Sequence, residues 1–302
     1  MNDTILRVNN LTKTYGTKTA LKDVTFSVKR GKIYGFKGEN GAGKTTTIRA
    51  ITGLTTVKEG AVELFGASDR NGLECARRKM GCLVEQPILS LNKTAYDNLK
   101  MQQLLYGQSD DERVEKVLAR VGLGGVANKK VKDFSLGMKQ RLGIALALIN
   151  GPELLILDEP VNGLDPMGMV DVRELLRSLC EEDGITILIS SHILAELYQL
   201  ATDYIMISHG RILETIAKEE LDKKCAAYII LEAPEAEAAL EVLAERGVKS
   251  AVSENEMIKI YDSVSVKDVA KWMFDANILV TLLTKYEKSL ENYYMELLGD
   301  ES

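Results

Sequence analysis

Apolar and polar positions alternate through the first thirty residues, in ILRVNNLTKTY and again in LKDVTFSV. That two-residue period belongs to strands with one buried face. A short apolar run, KIYGFKG, reads as a strand that leads straight into a glycine-rich loop, and TTTIRAITGL beyond it carries apolar residues at helical spacing. Residues 93–120 read as two helices, TAYDNLKMQQLLYG and DERVEKVLARVGL, and LGMKQRLGIALALI reads as a third. ELLILDEP is a buried strand ending in acids, VDVRELLRSLCEEDG an amphipathic helix and ITILISS a further buried strand. Short apolar strands alternating with helices predict an α/β fold, a mainly parallel sheet wrapped by helices.

Near residue 220 the pattern changes. AAYIILEA reads as strand, PEAEAALEVLAERG as helix, VKSAVS and MIKIYD as a hairpin around SENE, VSVKDVAKWMFDAN as helix, ILVTLLTK as strand and SLENYYMELLG as a last helix. The order β-α-β-β-α-β is that of a split βαβ unit. The charged stretch AKEELDKKC separates the halves, so the expected division is a first domain over 1–220 and a small α+β domain over 221–302.

Composition narrows the picture. The chain has 302 residues, 45% hydrophobic and 27% charged, enough for a substantial core and two domains. A net charge of −6 argues against a general nucleic-acid binder, and no nucleic-acid partner is expected. No run of about 18 apolar residues is present to span a membrane, and the N-terminus does not read as a signal peptide. The four cysteines (Cys75, Cys82, Cys180, Cys225) form no CxxC pair and read as reduced, mostly buried thiols.

The loop GENGAGKTT satisfies Gly-x4-Gly-Lys-Thr with Gly38, Gly43, Lys44 and Thr45. Phosphate oxygens are approached by backbone N–H groups, so Gly38, Asn40, Gly41, Ala42 and Gly43 form a cradle that bulkier side chains would block. The helix that follows turns its positive end to the anion. Lys44 is expected on the β- and γ-phosphates, Thr45 on Mg²⁺ and Thr46 on the α-phosphate. LLILDEP sets Asp158 and Glu159 at the carboxyl end of a strand, where open parallel sheets bind ligands. Asp158 is the expected partner of Mg²⁺ and Glu159 the expected general base.

With these two motifs the chain resembles the nucleotide-binding subunits of ABC transporters, over about residues 4–220. FSLGMKQRL resembles the family's signature motif, GLDP (Gly163 to Pro166) its D-loop, and ISSH places His192 as the family's switch histidine. Tyr15 resembles the aromatic that stacks on adenine. The resemblance implies a P-loop NTPase with an antiparallel β subdomain and a helical signature subdomain at about 87–150. It also implies a head-to-tail dimer in which Ser135 and Gly137 of one copy close on the ATP of the other. Asp165 then bridges the copies and His192 holds the attacking water with Glu159.

Two places depart from the family pattern. Leu136 and Met138 stand where glycine and glutamine are common in the signature, and Glu85 stands where glutamine is usual in the Q-loop, with Gln86 next to it. A carboxylate ligates Mg²⁺ as an amide oxygen does, so Glu85 is assigned to the metal, with Gln86 the alternative if the loop shifts. SLGM together with this glutamate resembles the bacitracin and lantibiotic exporter subgroup. That resemblance implies an ATPase at the cytoplasmic face of the membrane, attached through a separate permease that docks on about residues 87–105. The rival class, an ABC ATPase acting on ribosomes or DNA, usually carries two modules or long coiled coils, and this chain has neither.

Overall fold

A computed structural model describes residues 3–252, 257–262, 264–286 and 289–299. The chain divides into two compact units, Met1–Lys218 and Glu219–Ser302.

In the first unit, β1 (Thr4–Tyr15) and β2 (Lys18–Lys29) are the two alternating segments, and β3 (Ile33–Lys37) is the short apolar run. Helix α1 (Lys44–Thr52) leaves the glycine loop, and β4 (Glu59–Leu64), α2 (Arg70–Arg77) and β5 (Met80–Leu83) follow. Then come α3 (Ala95–Leu105), α4 (Asp111–Arg120) and α5 (Leu136–Leu148), before the acid-tipped strand β6 (Leu154–Asp158). The unit closes with α6 (Pro166–Glu181), β7 (Thr186–Ser191), α7 (Leu194–Tyr198), β8 (Asp203–Ser208) and β9 (Arg211–Ala217).

Two sheets result. The larger has the order β5-β6-β7-β3-β8-β9, parallel except for its last pair. The smaller is antiparallel, β2-β1-β4. Between them lies the core: Leu6, Val8, Leu21 and Val24 from the small sheet, Ile48 and Ile51 from α1, and Phe36, Ile156, Leu188 and Ile205 from the large one. Each such side chain, fully withdrawn from water, contributes about 1.5–3 kcal/mol. The face that α1 buries therefore fixes its N-terminus at the carboxyl ends of β3 and β6. Helix α3 starts on a capping box, with Thr94 and Asp97 each accepting the other's backbone N–H at 3.0 and 3.1 Å.

In the second unit, α8 (Lys218–Lys224) precedes β10 (Tyr228–Glu232), α9 (Ala236–Glu245), β11 (Ser250–Val252), β12 (Ile258–Ile260), α10 (Val266–Asp275), β13 (Leu282–Tyr286) and α11 (Leu290–Gly299). The sheet order β11-β12-β10-β13, antiparallel throughout, is the split βαβ arrangement. Ile229, Leu231, Ile258 and Ile260 turn one sheet face to Ala239, Leu243, Val269 and Met273 of α9 and α10. The expected hairpin forms, but its turn SENE lies outside the described residues. ILVTLLTK becomes strand only from Leu282, because Ile278 to Thr281 carry the chain out of α10 to the sheet edge.

None of the four cysteines is in a disulfide, and of the four only Cys180 is buried. Cys82 is exposed because β5 is an edge strand, and Cys75 lies on the open side of α2. Among the described residues no helix is long and apolar enough to cross a membrane.

Candidate functional site

The glycine loop wraps the N-terminus of α1. Gly41 and Gly43 have φ of +84° and +113°, backbone that L side chains rarely adopt. A Cβ on Gly38 would meet Ile207 Cγ2 and the Ile207 carbonyl oxygen at 2.7 Å, so the loop lies flat on the end of β8. The cleft above it has a volume of about 710 Å³ and is walled by Tyr15, the segment from Glu39 to Thr46, and Glu159. Tyr15 is half exposed, and Lys13 Nζ lies 4.9 Å from its ring centroid.

Lys44 is 6% exposed. Its ammonium donates to the carbonyls of Gly38 at 2.7 Å and Glu39 at 3.2 Å, and approaches Glu159 Oε1 at 3.2 Å. Glu159 Oε1 is buried beside that ammonium, in an ion pair and not in an aligned hydrogen bond. Its other oxygen, Oε2, is 2.8 Å from His192 Nδ1. An ionised carboxylate only accepts, so with Glu159 ionised this contact requires the hydrogen on Nδ1.

Behind this pair, Asp158 is divided between two hydroxyls. Thr45 donates to its Oδ2 at 2.8 Å and Ser190 to its Oδ1 at 2.6 Å. The Ser190 hydroxyl also accepts the N–H of Glu159 at 2.9 Å. Glu159 has a φ of +50°, a left-handed backbone uncommon outside glycine. The Ser190 bond holds that turn, which swings the carboxylate back over the phosphate loop.

These groups suit a nucleoside triphosphate with a hard cation. Backbone donors and a helix N-terminus face the phosphates, and Thr45 and Asp158 are the oxygen donors that Mg²⁺ prefers.

The other expected residues lie elsewhere. Ser135 caps α5 by accepting the Met138 N–H at 3.3 Å, and Asp165 caps α6 by accepting that of Gly168 at 3.1 Å. With Gly137 they line a second cavity of about 420 Å³, separate from the phosphate cleft. Glu85, also left-handed at φ +63°, turns outward and pairs with Arg49 of α1. It does not wall the cleft. Sequence reading passed over Lys18 and His209, which do wall it, and Ser190. His209 sits in the turn after β8. What the sequence did not show is that Gly210 N–H reaches the Ala42 carbonyl at 2.9 Å, which brings the turn against the loop.

A phosphate cradle between strand and helix, with a histidine just past the neighbouring strand β7 and an acid pair at the end of the next, β6, defines a P-loop ATPase. The ABC transporter family model matches residues 21–162. A bacitracin transport ATP-binding protein of Bacillus licheniformis is 41% identical over 300 residues, 98% of both chains. A lantibiotic transport ATP-binding protein of Streptococcus pyogenes is 45% identical over 210 residues, 69% of this chain and 89% of its own. Among solved structures, an ATP-binding subunit of an ABC transporter matches with a TM-score of 0.64 at 32% identity, covering 73% of this chain and 92% of the other. A dimeric ATP-binding cassette in a post-hydrolysis state, bound to ADP and Pi, matches with a TM-score of 0.64 at 28% identity, covering 71% and 99%. The chain belongs to the ATP-binding subunits of ABC transporters and is an ATP hydrolase, and it resembles the bacitracin and lantibiotic transport ATP-binding proteins among them.

Proposed function

We propose that this subunit powers export of a peptide antibiotic or drug through a separate membrane permease, and that it works as a head-to-tail pair enclosing two Mg·ATP. The observation that carries the chemistry is the 2.8 Å contact of His192 with Glu159, beside Lys44 and above the glycine cradle. Lys44 binds the β- and γ-phosphates, exchanging its present oxygen partners for theirs. Tyr15 stacks on adenine and Thr46 contacts the α-phosphate. Thr45 and Asp158 hold Mg²⁺, which when bound neutralises charge on the phosphate oxygens. Glu159 takes the proton of the attacking water as its oxygen bonds to the γ-phosphorus and the bond to the β-phosphate oxygen breaks. His192 keeps the carboxylate aimed.

The paired arrangement is supported by the second cavity. Ser135, Gly137 and Asp165 offer a helix N-terminus and two caps at a place the chain's own phosphate cleft does not include. A second copy brings that surface onto the bound ATP, and one of the matched cassettes is dimeric. Docking to a permease is supported by an apolar surface within 87–105: Ile88 is 97% exposed and Leu105 82%, with Leu91, Met101 and Leu104 beside them in sequence and also exposed. The direction and the cargo class rest on the transport functions in the names of the relatives.

The test is a Glu159→Gln chain, tagged and captured with Mg·ATP from detergent-solubilised membranes of its source cells. The expected result is a stable ATP-bound dimer with an integral membrane partner in fixed stoichiometry and no turnover. Normal turnover would remove the general-base role, and capture of ribosomes or DNA with no membrane protein would remove the transporter reading.

A further inference from the structure

Lys37 is the last residue of β3 and directly precedes Gly38 of the phosphate loop. Every residue of that strand is buried, and Lys37 is 7% exposed. A Cβ on Gly35, two residues earlier and on the same strand face, would lie 3.2 Å from Leu197 and 3.1 Å from Ala201. Lys37 therefore projects toward the side where α7 packs, and its ammonium donates to the backbone carbonyl of His192. Register sets Lys37 beside Ser191 of β7 on one side and Met206 of β8 on the other, with Glu214 of β9 opposite Met206.

The segment around His192 is held by other side chains too. Ser191 Oγ accepts the Ile193 N–H at 3.0 Å and donates to Glu196 at 3.0 Å, while Ser190 grips Asp158 and Glu159. Among these bonds, that from Lys37 lands on the backbone of the histidine itself.

We infer that Lys37 is a positioning residue for hydrolysis: its buried ammonium holds the His192 carbonyl so that the imidazole stays aimed at Glu159. The physical case is one of cost. An apolar side chain would fill this strand position without the several kcal/mol needed to take an ammonium out of water. A cation kept here is placed to act on what it bonds. Because Lys37 adjoins Gly38, it also joins the phosphate loop to the histidine segment through one side chain. The inference rests on the proposed role of His192, and Lys37 itself does not wall the phosphate cleft.

The test compares ATPase rates of the full chain as wild type, Lys37→Met, Lys37→Arg, His192→Ala and the Lys37→Met/His192→Ala double variant. Rates are expressed per ATP-binding site, so that an unfolded fraction drops out. Lys37→Met is expected to lower kcat about tenfold with KM for ATP within about twofold, the pattern of a lost transition-state interaction. Lys37→Arg should recover most of the rate, and the double variant should be no slower than His192→Ala alone. Hydrogen exchange in the 190–196 segment should rise in Lys37→Met and return in Lys37→Arg. If His192→Ala is slow while Lys37→Met runs at the wild-type rate, the inference fails and the histidine's role stands. Losses that multiply in the double variant also overturn it, since two residues acting through one contact cannot lose independently. A wild-type rate in His192→Ala would instead remove the reading on which the inference rests.

Discussion

Ser190 donates to Asp158 at 2.6 Å, and the same oxygen accepts the backbone N–H of the next residue, Glu159. One buried hydroxyl thus fixes both acids at the end of β6. Ser190→Ala leaves a buried carboxylate oxygen and a buried N–H short of a partner, at a cost of about 1–3 kcal/mol. A lower melting temperature is expected, together with a lower kcat, because the left-handed turn at Glu159 loses its holder. Calorimetry and steady-state kinetics on one preparation decide this; a variant as stable and as fast as wild type would refute it.

Gly137 has ample room in the single chain. A Cβ there would meet only Leu164 Cδ2, at 4.0 Å. Gly137→Ala should therefore leave the fold intact and add up to about 1 kcal/mol of helix stability. If the surface closes on a neighbour's nucleotide, the added methyl obstructs it. Turnover should fall at least about tenfold while single-site ATP binding is unchanged, the signature of a loss confined to the assembled state. Full turnover in this variant would count against the paired site.

Glu85 pairs with Arg49 and is largely exposed. To serve as a metal ligand its carboxylate has to leave that guanidinium. Arg49→Met should then lower the Mg²⁺ concentration for half-maximal ATPase, and Glu85→Ala should raise it. A Mg²⁺ titration that moves in neither variant would end the assignment of Glu85 to the metal.

Glu153 precedes β6 and joins two cations. Its hydrogen bond from Arg30 at 2.7 Å, aided by Lys79 at 3.3 Å, holds the carboxyl below its ordinary value of 4.5. A carboxyl with a lowered folded-state pKa binds fewer protons folded than unfolded. Its contribution is complete above about 4.5 and fades as pH falls through the folded value. The group is partly exposed, so solvent screening keeps the effect small. Urea midpoints compared at about pH 6 and about pH 3.5 should drop less in Glu153→Gln than in wild type. An identical drop would show that the pair contributes nothing.

The legible parts of this molecule were those whose physics is local. GENGAGKTT needs only its glycines and the helix that follows, and ELLILDEP needs only its apolar run and two acids. Ser135, ahead of the helical run LGMKQRLGIALALI, is its N-cap, a local signal of the same kind. The stretch between α1 and α3 gave no pattern, for identifiable reasons. β4 buries only two of its six residues and α2 only Ala76. Such elements are held by neighbours, and their sequences carry little periodicity. Lys37 illustrates a different gap. In KIYGFKG it reads as the polar end of a strand, and only tertiary structure shows it buried against the carbonyl of a residue 155 positions away. Glu85 was read by its place in a motif, whereas its present partner Arg49 is set by the packing of α1.

The two cavities of the first unit carry a kinetic consequence under the proposed pairing. One holds the phosphate cradle, and the other, apart from it, holds Ser135 and Gly137. A solitary chain then owns two unmatched halves and no whole reaction centre. In dilute solution its specific activity would climb in proportion to its own concentration, the total rate being second order, before it levels off. In the cell, the rate of work would depend on how many copies a permease gathers to itself, so that the membrane partner sets the dose.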